Sequence, residues 1–449
     1  MLKTCLSDGR YLDFVQLICE VACRAIRNPS KIKWARDWAE LLTCSERFKK
    51  CLSSSAVPFS YVRGAVAEAT EHGDWLLVDE INLASSECLD ALMNLLEDSY
   101  HKHPKFRLFA CMNPVTDIGK KNLPLSVRSR FTEIFIRETR DAEQLGVIVR
   151  TYLPSIQPTR LCSVLNLYEA LCHKYPGKYS LRSLCRALSF ASDNFFGSDL
   201  RSLQEAIEMS FLTDLNLESR TTVLELIHKY LGKKTDSAIP PPDYVAGKYI
   251  NVENYYIRRG TNEPQDDPLY VRTPSVRKNL AQLSRVVCSG RYPVLLEGET
   301  STGKTAMVIH LAKISGNTVI RINNHEHTDL QEYIGSYAPD RNGKLIFMEG
   351  ALLKAMKAGY WVILDELNLA ASDVIEALNR LLDDNRELYV SELNTTVRAH
   401  QSFRLFATQN PAGSYAGRKR LSRALLNRFV ILRFDHLPFS ELSQMVVAS

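Results

Sequence analysis

The sequence lacks the patterns of membrane-spanning, secreted and zinc-stabilised proteins. It contains no run of 18 apolar residues, and its N-terminus has no signal-peptide pattern. The 11 cysteines include no Cys-x-x-Cys pair and no zinc-binding spacing. Cys19 and Cys23 lie in an apolar helical run, which favours buried free thiols over a metal site. We therefore expect a soluble protein of a reducing compartment, the cytosol or the nucleus.

An excess of charge of one sign is also missing. The 56 basic and 51 acidic residues leave a net charge of +5, too small to indicate nucleic-acid binding by itself. Neither a basic stripe nor an aromatic platform is visible, so we expect no direct sequence-specific nucleic-acid partner and no membrane partner. With 45% hydrophobic and 24% charged residues, the 449-residue chain has the composition of a globular protein with several domains.

One stretch matches the phosphate-binding pattern G-x-x-x-x-G-K-[ST] in a fitting context. The sequence predicts an apolar strand over residues 293–297 and a helix over residues 304–315 that Gly316 ends. Backbone N–H groups of a loop between them can face a phosphate, Lys304 can reach the β- and γ-phosphates, and the Thr305 hydroxyl can bind Mg²⁺. A chance glycine-rich turn is the weaker alternative. The residues predicted to bind ATP and Mg²⁺ are Gly298, Glu299, Thr300, Ser301, Thr302, Gly303, Lys304 and Thr305.

A long internal repeat organises the chain. Residues 61–98 reappear at 347–384, shifted by 286 residues without a gap. Residues 106–114 reappear in the same order at 403–411. Repeats of this length indicate two copies of one domain, of which only the second contains a phosphate loop. The second copy has an additional segment, residues 385–402, which predicts a hairpin.

Each copy has an apolar strand that ends in two carboxylates. In the second copy, Asp365 and Glu366 follow residues 361–364. Ligands collect at the carboxyl ends of buried parallel strands, so Asp365 is predicted to hold Mg²⁺ and Glu366 to activate the attacking water. An acidic helix cap is the alternative, and the upstream phosphate loop disfavours it. Asp79 and Glu80 are the counterparts in the first copy, where the cap is the stronger alternative because no phosphate loop precedes them.

A third predicted element is an asparagine at the end of the next strand. Asn410 is placed to orient the attacking water or to contact the γ-phosphate, and Asn113 is its counterpart. The following proline makes a simple turn former the alternative. Residues 323–335 predict a loop beside the nucleotide pocket. A metal site at His325 and His327 is disfavoured because no third ligand with sensible spacing is evident.

Three arginines are candidates for contacts with a γ-phosphate. Arg428 and Arg130 each follow a short helix and precede a phenylalanine, a position from which an arginine can act on a neighbouring nucleotide. Arg128 and Arg423 are nearby rivals, and an ordinary solvated arginine is the alternative. Arg182 lies in the helical segment after the first copy and is predicted to point at the nucleotide of its own module, a surface arginine being the alternative.

These stretches resemble the AAA+ ATPases of the dynein-related, MoxR-like branch, and within it the giant ring ATPases of large ribosomal subunit assembly. The resemblance covers nearly the whole chain from about residue 59 and is weakest over residues 1–58. The stretches that carry it are residues 103–136, 298–305, 322–337 and 359–390.

The resemblance implies an α/β fold of P-loop AAA+ modules. Each module is expected to be a parallel five-stranded sheet sandwiched by helices, with an α-helical lid after the first. The implied segments are a helical insert of an incomplete first module (1–58), the rest of the first core (59–140), the lid (141–232), a linker (233–273), the second core (274–436) and the start of a truncated second lid (437–449).

The resemblance also implies partners and a cellular setting. The expected partners are other AAA+ modules of the same ring, and the pre-60S ribosomal particle with its assembly factors. The ring is expected to use ATP to release those factors in the nucleolus and nucleoplasm of the nucleus. A fragment, an alternative product and a truncated gene model all remain open as reasons why the first copy has no phosphate loop.

Two interpretations of the function remain open. An ATP-hydrolysing ring segment requires both Lys304 and Glu366, whereas a non-hydrolysing nucleotide-binding scaffold fragment requires Lys304 alone. In rings of this kind the arginine comes from the next module, so Arg428 would serve the first copy, and the second copy would need a third module. We therefore expect the isolated chain to bind ATP at its second copy and to hydrolyse it slowly. A single-module MoxR-type chaperone is disfavoured by the repeat.

Overall fold

Two compact units make up the protein in its computed structural model. One unit is Met1–Leu76 with Lys102–Arg107, and the other is Leu77–His101 with Leu108–Ser449. None of the helices in the described part of the chain has the length and apolarity that a bilayer crossing needs. The described residues are 11–26, 35–53, 64–96, 102–113, 122–137, 139–213, 215–234, 238–242, 247–268, 270–339, 345–383, 385–411 and 421–448.

The smaller unit is built from helices. α1 (Tyr11–Ile26) and α2 (Ala35–Ser53) pack against each other, which confirms the helical prediction for this part of the chain. α3 (Ala65–His72) ends at Gly73, whose φ of 82° is left-handed. A Cβ at Gly73 would lie 2.0 Å from His103 Nδ1, so this turn requires glycine.

The described residues of the first core contain a two-stranded sheet of β1 (Trp75–Val78) and β2 (Arg107–Ala110). α4 (Ser86–Leu96) follows β1, and α5 (Leu125–Arg128) follows β2.

The lid is helical throughout its described residues, as the sequence predicts. Side-chain caps begin two of its helices: Ser198 Oγ accepts from Arg201 N at 3.2 Å, and Asn216 Oδ1 accepts from Ser219 N at 3.1 Å. Both contacts satisfy N–H groups that the first turn of a helix leaves unpaired. The helices are α6 (Ala142–Tyr152), α7 (Pro158–Lys174), α8 (Leu181–Asp193), α9 (Asp199–Phe211) and α10 (Leu217–Leu231).

The linker contains a β-hairpin. β3 (Tyr249–Val252) pairs antiparallel with β4 (Tyr255–Arg258). Glu253 and Asn254 between them have φ values of 49° and 71°, the left-handed pair that a tight hairpin turn requires. β3 and β4 form a separate two-stranded sheet, so both are edge strands.

The second core alternates strands and helices. Its helices are α11 (Pro274–Cys288), α12 (Lys304–Ser315), α13 (Leu330–Ile334), α14 (Ala351–Ala358), α15 (Ser372–Ala377), α16 (Asn379–Leu382), α17 (Arg423–Leu426) and, beyond the core, α18 (Phe439–Ala448). Its strands are β5 (Val294–Gly298), β6 (Val319–Asn323), β7 (Gly335–Pro339), β8 (Leu345–Glu349), β9 (Trp361–Asp365), β10 (Glu387–Val390), β11 (Thr395–Arg398), β12 (Arg404–Gln409) and β13 (Val430–Phe434).

A five-stranded parallel sheet in the order β13-β5-β12-β9-β6 forms the centre of the second core. Alternate residues of its strands enter two different apolar clusters. Val294 and Leu296 pack with α11 and α12, whereas Leu295 packs with α14 on the opposite face. Helices therefore cover both faces of the sheet, which explains why β5 and β9 are continuous apolar runs. The predicted hairpin after the acidic pair is also confirmed, as β10 and β11.

The first core differs from the second at the repeat position of β13. In the second core, β13 pairs with β5, the strand that enters the phosphate loop. Residues 132–136 occupy the repeat position of β13, but they form no strand. The side chains of Ile134, Phe135 and Ile136 are all at least 80% exposed. Within the described residues, the first core has no counterpart of β5 with which these residues could pair.

A buried charge network joins the lid, the hairpin and α11. Arg285 Nη1 donates to Glu208 Oε2 at 2.7 Å and to Glu205 Oε2 at 3.3 Å. The Tyr255 hydroxyl donates to Glu205 Oε2 at 2.9 Å, and Lys234 Nζ pairs with Glu205 Oε1 at 2.5 Å. Burial raises the pKa of Glu205, but the positive charges of Arg285 and Lys234 outweigh it, so the pKa is lowered overall. The carboxylate stays ionised and fixes the lid against the second core.

We predict that Arg285→Met lowers the free energy of unfolding by about 3 kcal/mol, because it leaves buried carboxylates without their main cation. Urea denaturation followed by circular dichroism at neutral pH measures this loss. Because the folded-state pKa of Glu205 is lowered, the stabilisation is present above the ordinary carboxyl pKa of 4.5 and disappears as the pH falls through the lowered value.

Lys313→Met is the matched control for this experiment. Lys313 pairs with Asp267 at 3.1 Å, and its side chain is half-exposed, so its loss should cost less than about 1 kcal/mol. Equal losses in the two variants would contradict the role assigned to the buried network.

Candidate nucleotide-binding site

The predicted phosphate loop connects β5 to α12, and its path depends on glycine. A Cβ at Gly298 would lie 2.6 Å from the carbonyl oxygen of Phe434 on the neighbouring strand. Gly303 has a φ of 79°, and Ser301 holds a φ of 65° that is uncommon for a residue with a side chain. The strand, loop and helix predicted from the sequence are confirmed as secondary structure.

Lys304 is the first residue of α12 and is only 8% exposed. Its Nζ donates to the carbonyl oxygens of Gly298 at 2.8 Å and Glu299 at 2.6 Å. It also donates to Asn410 Oδ1 at 3.0 Å. β5 and β12 are neighbours, with Glu297 opposite Gln409, so the sheet register brings Asn410 to the loop. The structure thus brings together four of the predicted site residues, Gly298, Glu299, Lys304 and Asn410.

The Asp365 side chain lies at the centre of the site and is 5% exposed. Thr305 Oγ1 donates to Asp365 Oδ1 at 3.1 Å, and the Thr408 hydroxyl donates to the same oxygen. Arg321 Nε donates to Asp365 Oδ2 at 2.8 Å. A carboxylate beside a threonine hydroxyl is an oxygen donor set of the kind that Mg²⁺ prefers, so these residues fit the predicted metal.

Sequence reasoning missed Thr408 and Arg321. Both occupy strands adjacent to β9 in the sheet, and the register places them beside the acidic end of that strand. The available signal was the presence of Arg321 and Thr408 in two mainly apolar stretches, VIRIN and LFATQ. Recognising them required knowledge of which strands flank β9.

The backbone of Asp365 is held as firmly as its side chain. The N and Nδ2 atoms of Asn324 donate to Asp365 O at 3.0 and 2.7 Å. The Tyr333 hydroxyl donates to Asn324 Oδ1, and burial raises the pKa of Tyr333 well above its usual range, so this donor keeps its proton. The predicted position of residues 323–335 beside the pocket is therefore confirmed for Asn324.

Glu366 has a left-handed backbone, with φ 52° and ψ 47°. Its N–H donates to Thr408 Oγ1 at 3.0 Å. Glu80 has nearly the same conformation, φ 52° and ψ 44°, in the first core. A left-handed glutamate costs free energy, and its recurrence in both copies indicates that the local sequence, not the nucleotide loop, imposes this turn.

In each copy, a second asparagine donates a hydrogen bond to the backbone of the predicted asparagine. Asn368 Nδ2 donates to the carbonyl oxygen of Asn410 at 3.0 Å, and Asn82 Nδ2 donates to that of Asn113 at 3.3 Å. Asn368 and Asn82 are both buried. Neither asparagine was predicted as a site residue, although the repeated Asp-Glu-x-Asn-Leu-Ala pattern contains both.

The first core has the acidic pair and the asparagine without the loop. Asp79 is exposed, and its Oδ1 accepts from the N–H of Glu80 at 3.0 Å. Cys111 stands at the repeat position of Thr408, so the hydroxyl that binds the aspartate in the second core is missing. Asn113 follows β2 and is exposed. In this chain, the described residues of the first core provide no cradle for phosphate.

The two candidate arginines make equivalent contacts inside their own cores. Arg428 Nη1 donates to Asn379 O at 2.5 Å and lies 3.2 Å from Asp383 Oδ2. Arg130 Nη1 donates at 3.3 Å to the carbonyl oxygen of Met93, the repeat counterpart of Asn379. Both arginines therefore attach a short helix to the helical segment after the acidic pair. Their action on a neighbouring nucleotide stays a prediction.

The other three candidate arginines lie in different surroundings. Arg128 forms a two-bond ion pair with Glu133 at 2.7 and 2.6 Å, and the side chain of Arg423 lies outside the described residues. Arg182 lines a cavity of about 200 Å³ together with Arg428. The residues that line this cavity come from the lid and the second core and include none of the phosphate loop. The structure thus places Arg182 beside Arg428, and the contact of Arg182 with a nucleotide of its own module stays a prediction.

Comparisons with known families agree with this architecture. The model of the AAA domain (dynein-related subfamily) matches residues 43–131 and 293–429. The model of the Midasin AAA lid domain matches residues 131–234, the helical segment between the two copies.

Individual relatives extend the similarity over most of the chain. Midasin of Dictyostelium discoideum is 42% identical over 462 residues, which cover 94% of this chain and 8% of that protein. Midasin of Giardia intestinalis is 40% identical over 445 residues, covering 87% of this chain and 9% of that protein. An uncharacterised protein of Staphylococcus saprophyticus is 30% identical over 157 residues, or 34% of this chain and 59% of that protein. The chain thus spans less than a tenth of the two midasins.

We predict that Gly298→Ala lowers the free energy of unfolding by about 1–3 kcal/mol and weakens binding of a fluorescent ATP analogue, because the added Cβ meets a backbone oxygen at 2.6 Å. Gly64→Ala is the control, since nothing lies within 4 Å of its added Cβ. Thermal unfolding and fluorescence titration measure the two effects. Unchanged binding in Gly298→Ala would contradict the tight fit of the loop.

Proposed function

Because the chain belongs to the dynein-related subfamily of AAA domains, we propose that its second core binds ATP with Mg²⁺ and contributes to ATP hydrolysis in a ring of AAA modules. The proposal rests mainly on one structural observation. The phosphate loop, the end of β9 and the end of β12 meet at one edge of the sheet, with Lys304 Nζ 3.0 Å from Asn410 Oδ1 and Thr305 Oγ1 3.1 Å from Asp365 Oδ1.

Each residue of this edge has a defined task in the proposal. Lys304 would exchange its carbonyl partners for the β- and γ-phosphates, and Thr305 and Asp365 would hold the metal. Mg²⁺, when bound, neutralises charge on the phosphate oxygens. Glu366 accepts the proton of the attacking water, and Asn410 orients that water.

Rapid hydrolysis requires an arginine at the γ-phosphate, and within the described residues neither Arg130 nor Arg428 contacts the phosphate loop of the second core. Arg428 contacts Asn379 and Asp383, and it faces the cavity that Arg182 lines. In the proposed ring, Arg428 serves the module before it, and the second core receives an arginine from the module after it. The isolated chain is therefore expected to bind ATP and to hydrolyse it slowly.

We further propose the setting of this activity from the resemblance to midasin. The ring containing these modules releases assembly factors from pre-60S ribosomal particles in the nucleolus and nucleoplasm. Its partners are other AAA modules, the particle and those factors. The similarity to two midasins over most of this chain supports this proposal.

A second candidate function is a nucleotide-holding scaffold that does not hydrolyse ATP. The contacts of Arg428 and Arg130 inside their own cores favour it, since an arginine with a structural task is less available to a neighbouring site. This alternative needs Lys304 for binding but gives Glu366 no role.

We predict that Lys304→Ala weakens binding of a fluorescent ATP analogue to the full chain by about 100-fold, because it removes a charged phosphate contact. Lys357→Ala is the control, since this half-exposed lysine pairs with Glu349 away from the loop. Glu366→Gln should retain binding, and turnover should be slow with or without this change. Turnover of about one per second that Glu366→Gln abolishes would contradict slow hydrolysis by the isolated chain.

A further inference from the structure

The Asp365 carboxylate has a cation beside it that belongs to the protein. Arg321 Nε donates to Asp365 Oδ2 at 2.8 Å, while Oδ1 accepts from Thr305 and Thr408. Arg321 lies on β6, two residues before Asn323, which the register places opposite Asp365. The side chains of positions 321 and 323 share one face of the sheet, so Arg321 extends along that face to the carboxylate.

Burial makes this cation necessary. Asp365 is 5% exposed, and a carboxylate removed from water is costly unless a positive charge and hydrogen bonds compensate it. Asp79 is the counterpart of Asp365 in the first core and is exposed. Its Oδ1 accepts a hydrogen bond from the backbone N–H of Glu80. Compensation by an arginine thus accompanies the buried aspartate.

The exposure of Arg321 also allows its guanidinium to separate from Asp365. Its side chain is 55% exposed, whereas Arg285, in the buried network beneath the lid, is 4% exposed. A half-exposed guanidinium can return to water at small cost, and only one of the two carboxylate oxygens depends on it. The ion pair between Arg321 and Asp365 can therefore be broken at lower cost than the buried ion pairs of Arg285.

We propose that Arg321 is a placeholder for Mg²⁺ at Asp365, which withdraws when the metal binds and so sets the metal concentration that the site requires. This inference rests on the nucleotide-binding function proposed above. The guanidinium and the metal compete for one carboxylate, so the apparent metal affinity is the intrinsic affinity multiplied by the fraction of molecules in which Arg321 is withdrawn. Arg321 is a positioning residue, since it acts through Asp365.

The test titrates Mn²⁺ alone into the full chain, with free Mn²⁺ followed by electron paramagnetic resonance. It then titrates Mg²⁺ at a fixed concentration of a fluorescent ATP analogue. Arg321→Gln should lower both midpoints by about tenfold, because it removes the charge-assisted hydrogen bonds from Arg321 Nε and Nη2 that compete with the metal. Arg321→Lys should give an intermediate shift, because it keeps the charge without the planar fork.

Arg433→Gln is the matched control. Arg433 lies on β13 at the opposite edge of the same sheet, is comparably exposed, and pairs with Glu297 at 3.5 Å, so its loss should leave both midpoints unchanged. Unchanged midpoints in Arg321→Gln would overturn the proposal. So would weaker nucleotide binding at every Mg²⁺ concentration, which would make Arg321 a nucleotide contact. Failure of the wild-type chain to bind nucleotide would refute the proposed function, while the Mn²⁺ titration would still report on Arg321.

Discussion

The buried carboxylate of Asp365 is the group on which the rest of the site depends. A negative charge at the end of a strand covered on both faces requires donors from several directions. The flanking strands provide Thr408 and Arg321, and the helix after the phosphate loop provides Thr305. These contacts unite the loop and three parallel strands at one edge, where the register also places Asn410 beside Lys304. The same arrangement therefore stabilises the edge of the sheet and prepares it for a metal and phosphates.

The repeat separates what local sequence encodes from what the neighbours impose. Glu80 and Glu366 share one left-handed conformation, and Asn82 and Asn368 make the same contact, although only the second copy has a phosphate loop. These features are local. The pairing of β13 is not local, because residues 132–136 in the first core lack a counterpart of β5 and form no strand.

This distinction explains how much the sequence could predict. Continuous apolar runs, the loop pattern and the repeat were sufficient for the strand–loop–helix unit, the acidic strand, the helical lid and the hairpin after the acidic pair. They were not sufficient for Thr408 and Arg321, which depend on strand order, or for the network of Glu205 and Arg285, whose members lie 80 residues apart.

The most direct test of the central claim is a crystal structure of the full chain with Mg²⁺ and a non-hydrolysable ATP analogue. We expect Lys304 Nζ to leave the carbonyl oxygens of Gly298 and Glu299 for the phosphates, and Thr305 and Asp365 to hold the metal. A nucleotide bound away from the loop, or a Lys304 that keeps its carbonyl partners beside a bound nucleotide, would contradict it.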